Sequence, residues 1–142
     1  MIRSLIALAL LPVVLACSTA HNDFREQAAD VVDGFLEAVV AGDADKAASY
    51  ALIEGDSKYF VVFTEMLAAG ELVVREAELL HLGEIRPDSA PHGMDRLTAR
   101  IAARITRFGE DLPRSEYDLG LVGEGREWHI KDVPDAFTNY SR

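Results

Sequence analysis

From residue 23 onward, apolar residues recur at helical spacing. Phe24, Ala28, Val31, Phe35 and Val39 follow one another at steps of four, three, four and four. Such steps return to one side of a helical turn, so the pattern predicts an amphipathic helix beginning at Asp23. Asp23 as N-cap, with Glu26 three residues on, marks its start, and Gly42 marks its stop. Asp43 then offers a second N-cap for a short helix through Tyr50, which "EGDS" breaks. A third helix is predicted from about Ser57 to Ala69, with Tyr59, Phe60, Phe63, Met66 and Leu67 on a broad apolar side and Gly70 ending it.

Beyond residue 95 the period changes to two. Leu97, Ala99, Ile101, Ala103 and Ile105 alternate with Thr98, Arg100, Ala102, Arg104 and Thr106, which predicts a long half-buried strand over Arg96 to Phe108. Val73 to Ile85 reads as a strand, although Glu76 to Leu80 also suits a continued helix. "RPDSAPHG" reads as a loop, "GEDLP" as a turn, and Ser115 to Val122 as a further strand. "GEG" at 123–125 joins it as a hairpin to Arg126 through Val133, and the tail from Pro134 is expected to be a surface strap. Helices gathered in the first half and antiparallel strands in the second predict an α+β domain. Three N-terminal helices would pack on a curved antiparallel sheet of about four strands.

Ahead of residue 23 lies a different pattern. A cationic start at Arg3 and an apolar run from Leu5 to Ala16 lead to Cys17, the one cysteine of the chain. The run is shorter than the roughly 20 apolar residues a bilayer core demands, and its layout is that of a secretory signal peptide. Val14, Leu15, Ala16 and Cys17 resemble the lipobox of bacterial lipoproteins. That resemblance implies removal of residues 1–16 and lipidation of Cys17 on sulfur and on its new amino group. Two or three acyl chains anchor a protein stably where one does not. Residues 17–22 then form a lipidated tether, and 23–142 the folded domain. A single cysteine closes no internal disulfide, which fits a tether and leaves the domain to fold on packing alone. Ser18 after the cysteine, by the same resemblance, favours the periplasmic face of the outer membrane.

The formal net charge of −10 argues against nucleic acid and anionic headgroups as partners without a local basic patch. Acid is unevenly placed: Asp23 to Lys58 holds nine Asp or Glu against three Lys or Arg, whereas Asp95 to Lys131 holds seven of each. The basic side chains therefore belong to the sheet.

"ADVVDGFLEAVVAGDADKAASYA" resembles the opening of the cystatin-like cone superfamily that includes nuclear transport factor two, ketosteroid isomerase and the SnoaL-like cyclases. "GREWHIKDV" resembles the last strand of those proteins, and small bacterial lipoproteins without assigned activity are the best match in length and order. The resemblance implies a cone-shaped domain and, in the enzymes, an Asp or His base with a Tyr donor inside the cone. Tyr50, Tyr59, Tyr117, His81, His129, Asp118 and Trp128 supply such residue types, without a spacing that assigns a catalytic set.

On the inward side, the small Ala99 and Ala103 leave space to be filled by Phe35, Phe63, Tyr117 and Trp128 or by an apolar ligand. On the outward side, Arg100 and Arg104, joined by Lys131, form a candidate interaction face for an envelope protein or a second copy. The histidines are scattered, no glycine-rich loop precedes a helix, and no G-x-S-x-G occurs, so neither metal nor cofactor is expected. The reading that results is a tethered, non-catalytic module binding a small apolar ligand or an envelope protein. The alternative is an isomerase- or cyclase-like enzyme using a cavity Asp, His or Tyr.

Overall fold

A computed structural model describes residues 23–52, 58–87, 94–124 and 127–138; the expected signal peptide and tether, with Cys17, lie outside them. Among the described residues there are three α-helices: α1 (23–40), α2 (Ala44–Ser49) and α3 (Lys58–Ala69). The helix already includes Asp23, so its cap falls outside the described residues. Ala28, Val32, Phe35, Leu36 and Val39 form the buried side of α1. α1 and α3 end alike, on glycines at φ +73 (Gly42 and Gly70). The N–H of Gly42 bonds to the Val39 carbonyl and that of Asp43 to the Ala38 carbonyl, both at 3.0 Å. This closure satisfies the last carbonyls of the helix and requires a left-handed residue, which glycine accepts without steric cost. The Asp43 carboxylate then accepts from the N–H of Lys46 at 3.1 Å and starts α2, as the sequence predicts.

The sheet is antiparallel and has six strands where four were expected. In chain order they are β1 (Leu72–Leu82), β2 (Arg86–Pro87), β3 (Asp95–Arg107), β4 (Glu110–Asp111), β5 (Ser115–Glu124) and β6 (Glu127–Asp132). The main path runs β1-β3-β5-β6, and β2 and β4 pair with the two ends of β3. The two additional strands are two residues long, within segments read from the sequence as a loop and a turn. Two residues are too few to display an alternation. The 72–82 segment is a strand throughout, with register shifts between Val74 and Glu76 and between Leu79 and His81. The β5–β6 connection, residues 125–126, lies outside the described residues.

On β3, Leu97, Ala99, Ile101, Ala103 and Ile105 are buried, as alternation predicts. Ala102 on the other side is buried too, because it is flanked in register by the longer Glu78 and Glu116. Tyr59 departs from the expectation. It stands in the first turn of α3 and is 57% exposed, while Phe60, Phe63, Met66 and Leu67 are buried.

The tail also differs from a surface strap. After the buried Pro134, a 3₁₀ turn over Asp135–Phe137 places Phe137 in the core at 0% exposure. Arg107 at the end of β3 donates to the carbonyls of Ala136 and Thr138, both at 3.3 Å, and clamps that turn. At the opposite end of the sheet, the Trp128 indole N–H donates to the Phe24 carbonyl at 2.8 Å, and the two rings lie 4.6 Å apart. Arg25 donates to the carbonyls of Leu82 and Gly83, so the first turns of α1 are fastened to both β6 and the end of β1.

Candidate functional site

The space between helices and sheet is occupied by side chains. Phe35, Phe63, Ala99, Ala103 and Trp128 belong to one buried cluster, and Tyr117 packs half-buried against it. Phe63 is the hub, with ring centroids 5.8 Å from Phe35, 5.4 Å from Phe60 and 5.9 Å from Phe137. Tyr117 meets Phe137 edge-on at 5.6 Å. Such offset and edge-to-face contacts are the arrangements aromatic rings prefer. The buried polar residues among those described are Thr106 and Thr138, so no described carboxylate or imidazole is buried inside the cone.

Acid–base residue types converge elsewhere, in a cleft of about 360 Å³ between α1 and β6. Its walls include Asp30 and Gln27 from α1, Tyr50 after α2, and Glu127, Trp128 and His129 from β6. Tyr50 is brought there by its backbone. Its carbonyl accepts from the Ile130 N–H at 2.8 Å and the Leu52 N–H donates to the Ile130 carbonyl at 3.0 Å, a short parallel extension of the sheet. His129 Nε2 lies 3.8 Å from Glu127 Oε2, with a quarter of its side chain exposed. The sequence reading named Tyr50, His129 and Trp128 but missed Asp30. The available signal was the acidic stripe Asp23, Glu26, Asp30, Asp33 and Glu37, all exposed along α1.

The outer face of the sheet carries a ladder of ion pairs. Arg100 Nε donates to Asp118 Oδ1 at 2.7 Å and lies 3.4 Å from Glu116; Arg104 lies 3.9 Å from Glu76. Arg114, which the sequence did not single out, bridges Glu76 and Glu78. Its hydrogen bonds, first to Glu78 and then to Glu76, hold the guanidinium above its ordinary pKa. Lys131 is exposed on β6, and His81 is exposed opposite Arg100. Phe35, Phe63, Ala99, Ala103, Tyr117 and Trp128 are thus brought together within the fold, and Arg100 and Arg104 stand four residues apart on β3 in the ladder above them. Asp118 pairs with Arg100 on that outer face, away from the α1–β6 cleft.

A third feature is a groove of about 530 Å³ beside β2 and the start of β3, bounded by Gly83, Glu84, Arg86, Pro87, Arg96 and Thr98. Among the described residues no group of three or more His, Cys, Asp or Glu is placed to hold a metal ion, and no helix is long and apolar enough to cross a membrane.

No protein-family model and no curated protein sequence matches this chain. Among solved structures, it is similar to an NTF2-like protein of unknown function in nutrient uptake from Rhodospirillum rubrum. The TM-score is 0.52 at 15% identity, covering 72% of this chain and 90% of that one. An NTF2-like protein of unknown function from Prochlorococcus gives 0.47 at 12% identity, over 75% and 87% of the two chains. A cystatin-fold protein from Novosphingobium aromaticivorans gives 0.34 at 16%, over 73% and 95%. The first of these likenesses shows an NTF2-like α+β fold. At these identities the likeness is one of architecture.

Proposed function

We propose that this chain is a bacterial envelope lipoprotein, tethered through Cys17, whose domain is a non-catalytic module that engages a protein partner through the outer face of its sheet. The observation that carries the choice of a protein over a small apolar ligand is the aromatic cluster around Phe63, which fills the space such a ligand would need. The lipobox at residues 14–17 supports the tether. The periplasmic leaflet of the outer membrane is its proposed location.

Two measurements test the two halves of this reading. Labelled fatty acid is expected to enter the wild-type chain and not Cys17→Ser; equal labelling of both ends the tether reading. Arg100 and Arg104 make exposed ion pairs, which contribute on the order of 1 kcal/mol or less each, so Arg100→Glu with Arg104→Glu should leave the domain folded. That double variant is expected to weaken self-association or binding to a cross-linked envelope partner at least tenfold. Unchanged association of a folded double variant removes the sheet face from consideration.

A second reading, isomerase- or cyclase-like acid–base chemistry, is supported by the convergence of Asp30, Tyr50 and His129 on the α1–β6 cleft. A small molecule that co-purifies with the wild-type protein in native mass spectrometry, and is lost in Tyr50→Phe with His129→Gln, is the result that favours it.

A further inference from the structure

We propose that the outer edge of β1 receives a short extended segment of a protein partner, whose inward side carries an apolar side chain flanked by Lys or Arg. The sheet order β1-β3-β5-β6 leaves two edges. The β6 edge is covered from within the chain, by Tyr50 and Leu52 through their backbone bonds to Ile130. Among the described residues no strand pairs with the outer edge of β1, which is 11 residues long. Such an edge presents a row of N–H and C=O groups to any extended chain that can approach it.

A cleft of about 390 Å³ runs beside this edge, between Glu76 and Ala77 of β1 and Asp33, Leu36, Glu37 and Val40 of α1. An added strand would send every second side chain into it. Val40 (40%), Val73 (38%) and Leu80 (43%) are three of the six large apolar side chains left exposed among the described residues, and all three border β1 or its cleft. Exposed apolar surface is therefore concentrated where the backbone is unpaired. The register shifts between Val74 and Glu76 and between Leu79 and His81 confine a regular ladder to 76–79. Irregularities of this kind turn an edge away from long, flat partners, so the edge suits a short segment and not another sheet.

Charge selects the occupant. Arg75 is held by Thr106 and Asp111, and Glu76 by Arg114. Asp33 and Glu37, exposed one turn apart on α1, have no ion-pair partner among the described residues. A Lys or Arg on the inward side of the added strand would lay its aliphatic stem along the cleft and bring its charge to those carboxylates. A second copy of β1 fits poorly. Any two-fold antiparallel pairing centred within 76–78 sets glutamate against glutamate, and like charges directly opposed are destabilising. The site uses neither Cys17 nor Arg100, so it goes beyond the function proposed above and is tested apart from it.

The test titrates the full chain, in neutral detergent micelles, with the blocked peptide acetyl-Thr-Lys-Thr-Val-Thr-Lys-amide and follows backbone amide resonances and hydrogen exchange. In the free protein the outward-facing amides within 76–79 should exchange rapidly at every protein concentration, and saturating peptide should slow them at least tenfold. Alternate N–H groups of a strand face opposite edges. N-methylation of the threonines and, separately, of the Lys and Val residues should therefore differ, one series losing binding and the other retaining it. Asp33→Lys with Glu37→Lys, or Glu in place of both peptide lysines, should weaken binding at least tenfold. Slow exchange of those amides in the free chain means that its own residues cover the edge, and slowing that grows with protein concentration means that a second copy does; either result overturns the proposal. So does absence of peptide binding, equal binding by the two N-methylated series, or binding indifferent to the charge reversals.

Discussion

Phe108 is the residue at which local preference and observed conformation conflict most plainly. It is a bulky side chain at φ +49, followed by Gly109 at φ +79, and it is 56% exposed. Two left-handed residues make the tight turn between β3 and β4, a position where Asn-Gly is the favoured pair. An L-residue other than Gly or Asn loses about 1–2 kcal/mol in the left-handed region. Phe108→Asn is therefore expected to raise stability by about 1 kcal/mol and the thermal midpoint by a few degrees, measured by calorimetry. A lower midpoint would mean that the ring contributes more contact than its exposure suggests. Individual residues were unevenly legible in the sequence. Phe35, Phe63 and Trp128 announced themselves by periodicity. Phe137 did not, because one 3₁₀ turn has no repeat to detect, and Asp30 was hidden by being one carboxylate in an exposed row.

At the scale of elements, the joint of β1, β3 and β4 turns on one hydroxyl. Thr106 Oγ1 accepts from Arg75 Nε at 3.0 Å and donates to Asp111, while Arg75 and Asp111 themselves stand 3.7 Å apart. Thr106 is 8% exposed, so neither bond is easily replaced by water. Thr106→Val keeps the shape and removes both bonds. The expected cost is about 1–2 kcal/mol in urea unfolding, and a cost near zero would show that the direct Arg75–Asp111 pair suffices. The same region explains what the sequence left open. The two register shifts in β1 interrupt its alternation near Arg75 and Leu80. Residues 76–80 consequently fit a helical pattern as well as a strand. β3, which pairs over its length with β1 or β5, showed a clean alternation and was readable. β2 and β4 were not readable, since they exist only through their pairing with β3.

Across the whole molecule the two exposed faces differ in kind. α1 presents five carboxylates in a row, whereas the outer side of the sheet interleaves arginines with acids. Composition foretold this division between halves of the chain. The clefts and the groove beside β2 are another matter. They form where segments distant in sequence meet, such as Arg25 with Gly83 or Asp30 with His129, and periodicity within one element carries no trace of them.

The core, too, is assembled from both extremes. Phe137 touches Phe63 and Tyr117 and is itself held by Arg107. Phe137→Ala should cost about 3–5 kcal/mol, a large part of the stability of an ordinary domain, and should broaden or abolish the cooperative unfolding transition. A change below 1 kcal/mol would place the ring outside the cooperative core.

Among the described residues Phe137 is also the last core side chain in chain order. Without it Phe63 and Tyr117 lack their closing neighbour, and without Trp128 the first turns of α1 lose their contact with β6. A chain cut ahead of Phe137 would lack these closing contacts, and such a truncation is expected to leave the domain open to proteases.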